Sequence, residues 1–340
     1  MEQGYKVAVV GATGMVGEAI LEILEQREFP VDELFLLASS NSVGKSMQFS
    51  EKSYRVTDID EFDFSIAQIA FFTAGSLVSE EYAQAAADQG CIVIDNTSCF
   101  RYEYDVPLVI PEVNPESIAD FRNRGIIANP NCSTIQMLLA LAPIHRHASI
   151  KRINVATYQA VSGSGKKGIE ELAGQTAKLL NAQTPENDVY PKQIAFNVLP
   201  QIDDFQDNGY TREEMKMVWE TQKILGDEAL SVNPTCVRVP VFFGHSEAVH
   251  LECWDSISAE EVKELMVQSP GIELVDEQVD GGYATAVSDA AKNDDVFVSR
   301  VREDISCENA INMWIVADNV RKGAALNSVQ IAEILVQQYI

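Results

Sequence analysis

A glycine-rich run near the start of the chain is the first feature that could do chemistry. Gly11, Gly14 and Gly17 follow a short β-branched segment and precede a helix with apolar periodicity. In this context the backbone N–H groups at a helix N-terminus can hold a pyrophosphate, and glycine allows its close approach. The pattern predicts a dinucleotide site; the alternative is a tight strand-to-helix turn without a ligand.

The end of the second predicted strand, Leu34 to Ala38, indicates which dinucleotide this site would take. An acidic residue there would bind the ribose 2′-hydroxyl of NAD. Ser39, Asn41 and Ser42 offer hydroxyl and amide groups instead, and Lys45 follows them without an intervening acid. These groups favour a 2′-phosphate, and hence NADP.

Cys132 is the candidate nucleophile. Pro130 ends an extended segment just before it, and the apolar helical run Ile135 to Leu141 follows it. A thiol at a helix N-terminus ionises more readily and becomes a nucleophile. The alternative is a small buried hydrophobic side chain, which is the interpretation for the cysteines in strand patterns: Cys91, Cys236 and Cys253.

Four further polar features are candidates for a site. His245 lies between two predicted strands, where a loop could present it to a cleft. Glu213 and Lys216 are spaced i,i+3 on one helix face, which as a surface pair would contribute only about 0.2–0.5 kcal/mol. Arg238 lies in an otherwise apolar strand, where an unpaired charge is costly, so it is expected to point into a polar cleft. The Gly/Ser loop at 162–165 could cradle a phosphate or simply turn the chain.

The elements that must position these residues fall into two groups. Over the first 130 residues, near-continuous apolar strands alternate with helices, which predicts a parallel sheet covered by helices on both faces. After about residue 150 the alternating segments Ile153 to Val161 and Thr235 to Phe243 predict half-exposed strands of a mixed or antiparallel sheet. Capping boxes predict helix starts at Thr211 with Glu214 and at Ser258 with Glu261.

Length, composition and charge exclude several function classes. The 340 residues suggest about two domains, and 46% hydrophobic residues exclude a disordered chain. With 25 basic and 51 acidic residues the net charge is −26, so non-specific binding to nucleic acid or anionic membranes is not expected. No segment has the length and apolarity of a membrane span. Six scattered cysteines and no metal-ligand spacing indicate free thiols, a cytoplasmic protein and no metal.

Taken together, the motifs resemble the aspartate-β-semialdehyde dehydrogenase family over nearly the whole chain. The glycine motif alone is weak, but the ordered set of segments is highly specific. The segments that carry the resemblance are 11–17, 129–132, 159–163, 194–200, 238–241, 244–247 and 323–327.

The resemblance implies a reaction and a role for each site residue. The family makes L-aspartate 4-semialdehyde from 4-aspartyl phosphate with NADPH and releases phosphate, on the route to lysine, methionine, threonine and diaminopimelate. Cys132 would be the nucleophile and His245 the general acid/base. Asn131, Gln159, Glu213 and Arg238 would bind the substrate, and Arg101 and Lys216 its phosphate. Cofactor contacts are implied for Gly11, Thr13, Gly14, Met15, Val16, Ser39, Asn41, Ser42, Ser162, Gly163 and Asn327.

The resemblance also implies the architecture. It predicts an α/β chain with a Rossmann-type, doubly wound parallel sheet domain formed by residues 1–131 and a C-terminal helix, 323–340. An α+β catalytic and dimerisation domain, with a mixed and largely antiparallel sheet, would span 132–322. A homodimer is expected, with a tetramer as the alternative. One departure concerns the cofactor: many family members have Arg where Asn41 stands, so a narrower preference for NADP is expected.

Other functions remain open. An N-acetyl-γ-glutamyl-phosphate reductase shares the fold and the Cys/His chemistry, but that family usually has Gly-Cys-Tyr where Asn131, Cys132 and Ser133 stand here. A non-catalytic, nucleotide-binding paralogue would tolerate the loss of Cys132, His245 or Arg238, and all three are present. A short-chain reductase would need a lysine four residues after tyrosine, which Tyr158 lacks.

Overall fold

The computed structural model describes residues 4–340, which divide into two compact units. The first unit contains the described residues up to Pro130 together with Ala324–Ile340. The second unit is Asn131–Gly323. The first unit therefore takes its last helix from the far end of the chain.

A seven-stranded sheet forms the centre of the first unit. All neighbouring strands run parallel except for one antiparallel pair at the edge, β3 with β4. The strands at the centre are buried on both faces, which explains their continuous apolar sequences. In spatial order the strands are β3 (Ser46–Phe49), β4 (Lys52–Asp58), β2 (Val31–Ala38), β1 (Tyr5–Val10), β5 (Ile69–Phe72), β6 (Ile92–Asp95) and β7 (Ile126–Ala128).

Three helices flank this sheet: α1 (Met15–Gln26), α2 (Ser76–Asp88) and α7 (Leu326–Gln338). Apolar side chains of α1 and α7 share one core with the strands, and the fully buried Ile20 and Val329 belong to it. The predicted C-terminal helix begins three residues later than expected, because residues 321–325 form a wider turn before α7. The doubly wound parallel sheet is confirmed.

A six-stranded sheet forms the centre of the second unit. Three of its neighbouring pairs are antiparallel and two are parallel, which confirms the predicted mixed sheet. In spatial order the strands are β11 (Ile272–Leu274), β12 (Val296–Glu303), β13 (Ala310–Ala317), β10 (His245–Cys253), β8 (Ile150–Gln159) and β9 (Ser231–Arg238).

Two predictions on these strands were wrong in detail. The strand predicted to run from Thr235 to Phe243 ends at Arg238, because the following segment contains Pro240, which has no N–H to donate to a sheet. His245 is the first residue of β10, where it pairs with Ala317, rather than a loop residue.

Four helices complete the second unit: α3 (Cys132–Ala148), α4 (Gly165–Leu180), α5 (Arg212–Leu225) and α6 (Ala259–Gln268). Both predicted capping boxes are confirmed, at the starts of α5 and α6. Helix α3 is buried along most of its length, which explains why its apolar residues are not confined to one side. In β10, buried and half-buried residues alternate from Glu247 onward, and His245 lies two residues before Glu247, so these two side chains share the buried face.

Between residues 4 and 340, no helix combines the length and apolar composition that a membrane crossing requires. The same residues contain no group of three or more His, Cys, Asp or Glu side chains arranged to hold a metal ion.

Candidate active site

Cys132 is the first residue of α3, which confirms the predicted position of this thiol at a helix N-terminus. Asn131 caps the helix, and its Oδ1 accepts a hydrogen bond from the Ser133 N–H at 3.0 Å. Gly323 lies against the same residue: a Cβ placed on it would be 2.9 Å from the Cβ of Cys132. Only glycine therefore leaves the Cys132 backbone in place.

The residue that precedes Cys132 is tied to α5. Glu213 Oε1 accepts hydrogen bonds from Asn131 Nδ2 at 3.0 Å and from Gln159 Nε2 at 3.2 Å. Glu220 lies two helical turns after Glu213 on α5, and its Oε2 accepts a hydrogen bond from the Asn131 backbone N–H at 2.6 Å. Asn131 thus caps the nucleophile's helix with one end of its amide and contacts Glu213 with the other. Three of the predicted substrate residues are brought together by this network.

Glu213 and Lys216 form a buried ion pair, so the alternative of a mere surface pair was wrong. Lys216 Nζ lies 2.9 Å from Glu213 Oε2 and 2.9 Å from Asp203 Oδ2, and the Glu213 side chain is only 7% exposed. Burial opposes ionisation of Glu213, but Lys216, Asn131 and Arg238 outweigh it and lower its pKa to about 2. Burial likewise opposes the charge on Lys216, and the two carboxylates outweigh it and raise its pKa.

Arg238 and Gln159 are side by side because β8 and β9 run parallel and pair at these two residues. Arg238 is buried, and its Nη1 donates to the Ala160 carbonyl at 2.7 Å. Its Nε has no hydrogen-bond partner among the described residues. A buried guanidinium with an unused donor is suited to an anionic group such as a carboxylate.

His245 is fully buried, and its ring orientation is set by the backbone. Nδ1 accepts the Ala160 N–H at 3.0 Å, so in the neutral ring the proton lies on Nε2. Nε2 has no hydrogen-bond partner among the described residues. Burial, together with the charge of Arg238, lowers the pKa of His245 to about 3 against the opposing effect of Glu213. The imidazole is therefore neutral, with an Nε2–H available to a ligand.

Gly163 provides the space beside this Nε2–H. A Cβ at this position would lie 2.7 Å from Arg238 Nη1 and 3.5 Å from His245 Nε2. The preceding Ser162 is buried, and its Oγ donates to Asn319 Oδ1 at 3.0 Å. Gly163 thus lies directly against both site residues, which is consistent with a glycine at this point of the loop.

Asn319 was missed by the sequence analysis. Its Oδ1 accepts hydrogen bonds from Ser162 Oγ and from the Gly244 N–H, both at 3.0 Å. It therefore joins the loop that contains Gly163 to the residue before His245. The signal that could have found it is its position, because it follows the end of the apolar strand β13 by two residues.

In the first unit, the glycines of the run at 11–17 lie so close to neighbouring atoms that a side chain would not fit at Gly11 or Gly17. Gly11 has a φ of +85°, and a Cβ there would lie 2.7 Å from Thr73 Oγ1. Gly17 packs on the backbone of Gly11 and Ala12, where a Cβ at 17 would collide. Gly14 is exposed and caps α1, whose first residues are Met15 and Val16. The N–H groups that begin α1 could therefore hold a pyrophosphate.

The segment after β2 presents hydrogen-bonding groups next to this run. Thr13 Oγ1 lies 3.3 Å from Ser42 Oγ, and Lys45 Nζ lies 3.4 Å from the same oxygen. Ser39 and Asn41 are exposed on the same short turn. Exposed hydroxyls, an amide and one lysine fit an anionic group better than a ribose hydroxyl.

Two predicted residues of the first unit have structural partners. Arg101 is buried in the turn after β6, and its Nη2 donates to the Asn96 carbonyl at 3.0 Å. Asn327 is fully buried, and its Nδ2 donates to the Val109 carbonyl at 3.0 Å and to Asn129 Oδ1 at 2.7 Å. In this structure the Asn327 amide stabilises the first unit.

Comparisons with known proteins match both units. Residues 6–121 match the model for the NAD-binding domain of semialdehyde dehydrogenases, and residues 141–322 match the model for their dimerisation domain. The chain is 63% identical over 339 residues to an aspartate-semialdehyde dehydrogenase of Shewanella violacea, covering all of both chains. The chain belongs to the aspartate-semialdehyde dehydrogenase family. The resemblance inferred from the motifs is thereby confirmed.

Solved structures of this family are similar to the fold described above. Aspartate semialdehyde dehydrogenase II of Vibrio cholerae is 61% identical with a TM-score of 0.98, covering 99% of this chain and all of its own. A second structure of that protein is a complex with ASA. The enzyme of Candida albicans, solved with NADP, is 26% identical with a TM-score of 0.77, covering 98% of this chain and 99% of its own.

Proposed function

We propose that this chain reduces L-4-aspartyl phosphate to L-aspartate 4-semialdehyde with NADPH and releases phosphate. The observation that carries this proposal is the network around the end of β8. It links the cap of the Cys132 helix to Glu213 and Gln159, and it holds Arg238 and His245 on the adjoining residue, Ala160. Family membership supports the same reaction.

In the first chemical step, the Cys132 thiolate attacks the acyl carbon of the acyl phosphate. A carbon–sulfur bond forms, the carbon–oxygen bond breaks, and phosphate leaves with the electron pair. The N-terminus of α3 favours the thiolate. Lys216 has three N–H donors, of which Glu213 and Asp203 occupy two, so one remains for a phosphate oxygen. Arg101 is proposed as the second phosphate ligand.

In the second step the thioester is reduced. NADPH, when bound, supplies a hydride to the thioester carbon, and the negative charge develops on the thioester oxygen. The Nε2–H of His245 donates a hydrogen bond to this oxygen and stabilises its negative charge, and the carbonyl double bond re-forms as the carbon–sulfur bond breaks. The Cys132 thiolate is regenerated and the aldehyde is released. The Ala160 N–H keeps the proton on the correct nitrogen throughout.

The buried charges recognise the amino acid end of the substrate. Arg238 is suited to the α-carboxylate, because a guanidinium binds carboxylates bidentately. Glu213 is ionised and offers a negative partner to the α-ammonium group, with Gln159 alongside. An N-acetylated substrate has no such cation. The site therefore favours the aspartyl compound over N-acetyl-γ-glutamyl phosphate.

The choice of cofactor, the oligomeric state, the location and the pathway are each proposed on separate observations. NADP is favoured by the donors around Ser42 and by the absence of an acid in 39–45. A homodimer is favoured by the dimerisation-domain match and by the sheet face opposite α3, where the exposed Tyr158 and the half-buried Trp314 lie with ring centroids 5.6 Å apart. A cytoplasmic location fits the free thiols. The route to lysine, methionine, threonine and diaminopimelate would follow from the product.

The test is an assay in the oxidative direction with aspartate semialdehyde, phosphate and NADP. NADP reduction should require phosphate, and Cys132→Ala should abolish it while NADP binding and the fold are retained. N-acetylglutamate semialdehyde should react at least roughly 100-fold more slowly in kcat/KM, because its nitrogen carries no charge. Phosphate-independent reduction, or a preference for the acetylated substrate, would contradict the proposal.

A further inference from the structure

Glu247 is a buried acid that the proposed mechanism does not use. It is fully buried in β10, between Thr157 of β8 and Ile315 of β13. Neither of its carboxyl oxygens has a hydrogen-bond partner among the described residues. A carboxylate without donors in such a place would be strongly destabilising, so its presence requires an explanation.

The position of Glu247 relates it to both catalytic residues. It follows His245 by two residues on the same strand, so both side chains point to the buried face of the sheet. On α3, Gln136 follows Cys132 by four residues and lies on the same side of the helix. Glu247 is thus the next residue on the same face of β10 as His245, the proposed acid/base. Gln136 is the next residue on the same side of α3 as Cys132, the proposed nucleophile.

Gln136 joins α3 to β10 with only some of the hydrogen bonds that its amide can form. Its Nε2 donates to the His245 carbonyl at 3.5 Å, while its Oε1 is buried without a partner. Its amide also approaches the Glu247 carboxyl, but forms no full hydrogen bond to either oxygen. A protonated carboxyl would supply the missing donor, because it has one O–H in addition to its acceptor oxygen.

We propose that Glu247 is a positioning residue that remains protonated and donates to Gln136, so that the strand of His245 is held at a set position against the helix of Cys132. Burial raises the pKa of Glu247 well above its ordinary range, and the Gln136 amide opposes this only in part. The other titratable groups near this face are His245 on β10 itself and Cys236 on β9, whose thiol pKa burial also raises. This proposal rests on the proposed function, in which Cys132 and His245 act on one carbon atom.

The test compares two replacements of similar size. Glu247→Gln retains a neutral donor and acceptor, whereas Glu247→Leu retains only the volume. We expect Glu247→Gln to keep kcat within about threefold, and Glu247→Leu to lower kcat by roughly tenfold or more with little change in the KM for NADP. The acid limb of the kcat profile should be unchanged in Glu247→Gln, because no charge is removed.

Additional readouts separate positioning from folding and from the proposed function. The rate at which iodoacetamide modifies Cys132, measured by peptide mass spectrometry against the half-buried Cys307, needs no substrate and should change in Glu247→Leu only. If Glu247→Leu does not fold, Gln136→Leu should reproduce its loss of kcat. The double variant should regain thermal stability, because no buried polar side chain is left unpaired at either position, while kcat stays low.

Three results would overturn the proposal that Glu247 is a protonated positioning residue. An equal loss of kcat in Glu247→Gln and Glu247→Leu would mean that the carboxylate charge is required. A shifted acid limb in Glu247→Gln would mean the same. Full kcat in Glu247→Leu would remove any positioning role. If wild-type enzyme showed no phosphate-dependent activity, the proposed function would fail, and the alkylation rates would still decide whether Glu247 positions the Cys132 helix.

Discussion

Replacement of Lys216 by methionine should reveal how much the buried ion pair contributes. Methionine retains most of the apolar stem and removes the ammonium group, which leaves Glu213 with only its neutral donors and the more distant Arg238. The pKa of Glu213 falls from its ordinary value of 4.5 to about 2 in the folded protein. Since one pKa unit corresponds to about 1.4 kcal/mol, this lowering corresponds to about 3 kcal/mol of stability. Lys216 provides the largest favourable part of it.

The sign of the pH dependence follows from the direction of this pKa change. A carboxyl whose folded pKa is lowered stabilises the protein fully above its unfolded pKa, near 4.5, and this stabilisation is lost as the pH falls through about 2. Lys216→Met should therefore be less stable than wild type by about 2–3 kcal/mol near neutral pH. The difference should shrink as the pH falls below about 4.5, because protonated Glu213 no longer needs the ammonium group.

Urea unfolding at a series of pH values, together with phosphate titration of the activity, would measure both consequences. The matched control is Lys178→Met, which removes an ion pair of similar length, 2.8 Å to Glu186, at an exposed position. That variant should lose much less stability than Lys216→Met, because solvent screens an exposed pair. In Lys216→Met the KM for phosphate should also rise. A stability loss that is the same at every pH would refute the electrostatic argument, because packing defects do not titrate.

Further predictions concern the glycine beside the nucleophile and the cofactor loop. Gly323→Ala would place a methyl group 2.9 Å from the Cβ of Cys132, so kcat should fall by roughly tenfold or more while NADP binding is retained; an unchanged kcat would show that the backbone adjusts. Asn41→Arg should widen the preference for NADP over NAD in kcat/KM, because a guanidinium binds a phosphate bidentately and Asn41 lies exposed beside Ser42. An unchanged ratio of the two cofactors would show that this loop does not contact the 2′-phosphate.

Local patterns predicted the elements best where one physical rule dominates. The two capping boxes, the buried parallel strands and the helix that begins at Cys132 all follow from short-range rules and are confirmed. The antiparallel strands β3 and β4 were not predicted, because their residues are mostly exposed and lack an apolar pattern. Helix α4 was not predicted either, since its glycines and lysines after residue 164 are typical of a loop.

The candidate site was only partly predictable, because several of its connections depend on pairing between distant segments. The i,i+3 spacing of Glu213 and Lys216 could not show that the pair is buried, since burial depends on where α5 packs. Asn319 has no motif of its own, and its importance depends on two hydrogen bonds to segments 75 and 157 residues away. Long-range contacts of this kind leave no signal in local composition.

The peptide group of Ala160 shows why part of this site cannot be found from side chains at all. Its N–H fixes His245 Nδ1, and its carbonyl accepts from Arg238 Nη1, so one residue orients both the proposed acid/base and the proposed carboxylate ligand. Every residue except proline has this donor and this acceptor, so the residue type at 160 reveals nothing about the role. The role of Ala160 depends on its position in the sheet. Ala160 directly follows β8, whose last residue, Gln159, pairs with Arg238 of β9. On the other side of β8 lies β10, which begins with His245. The sheet register therefore brings the two side chains to one peptide, and the choice of His245 tautomer follows from strand pairing.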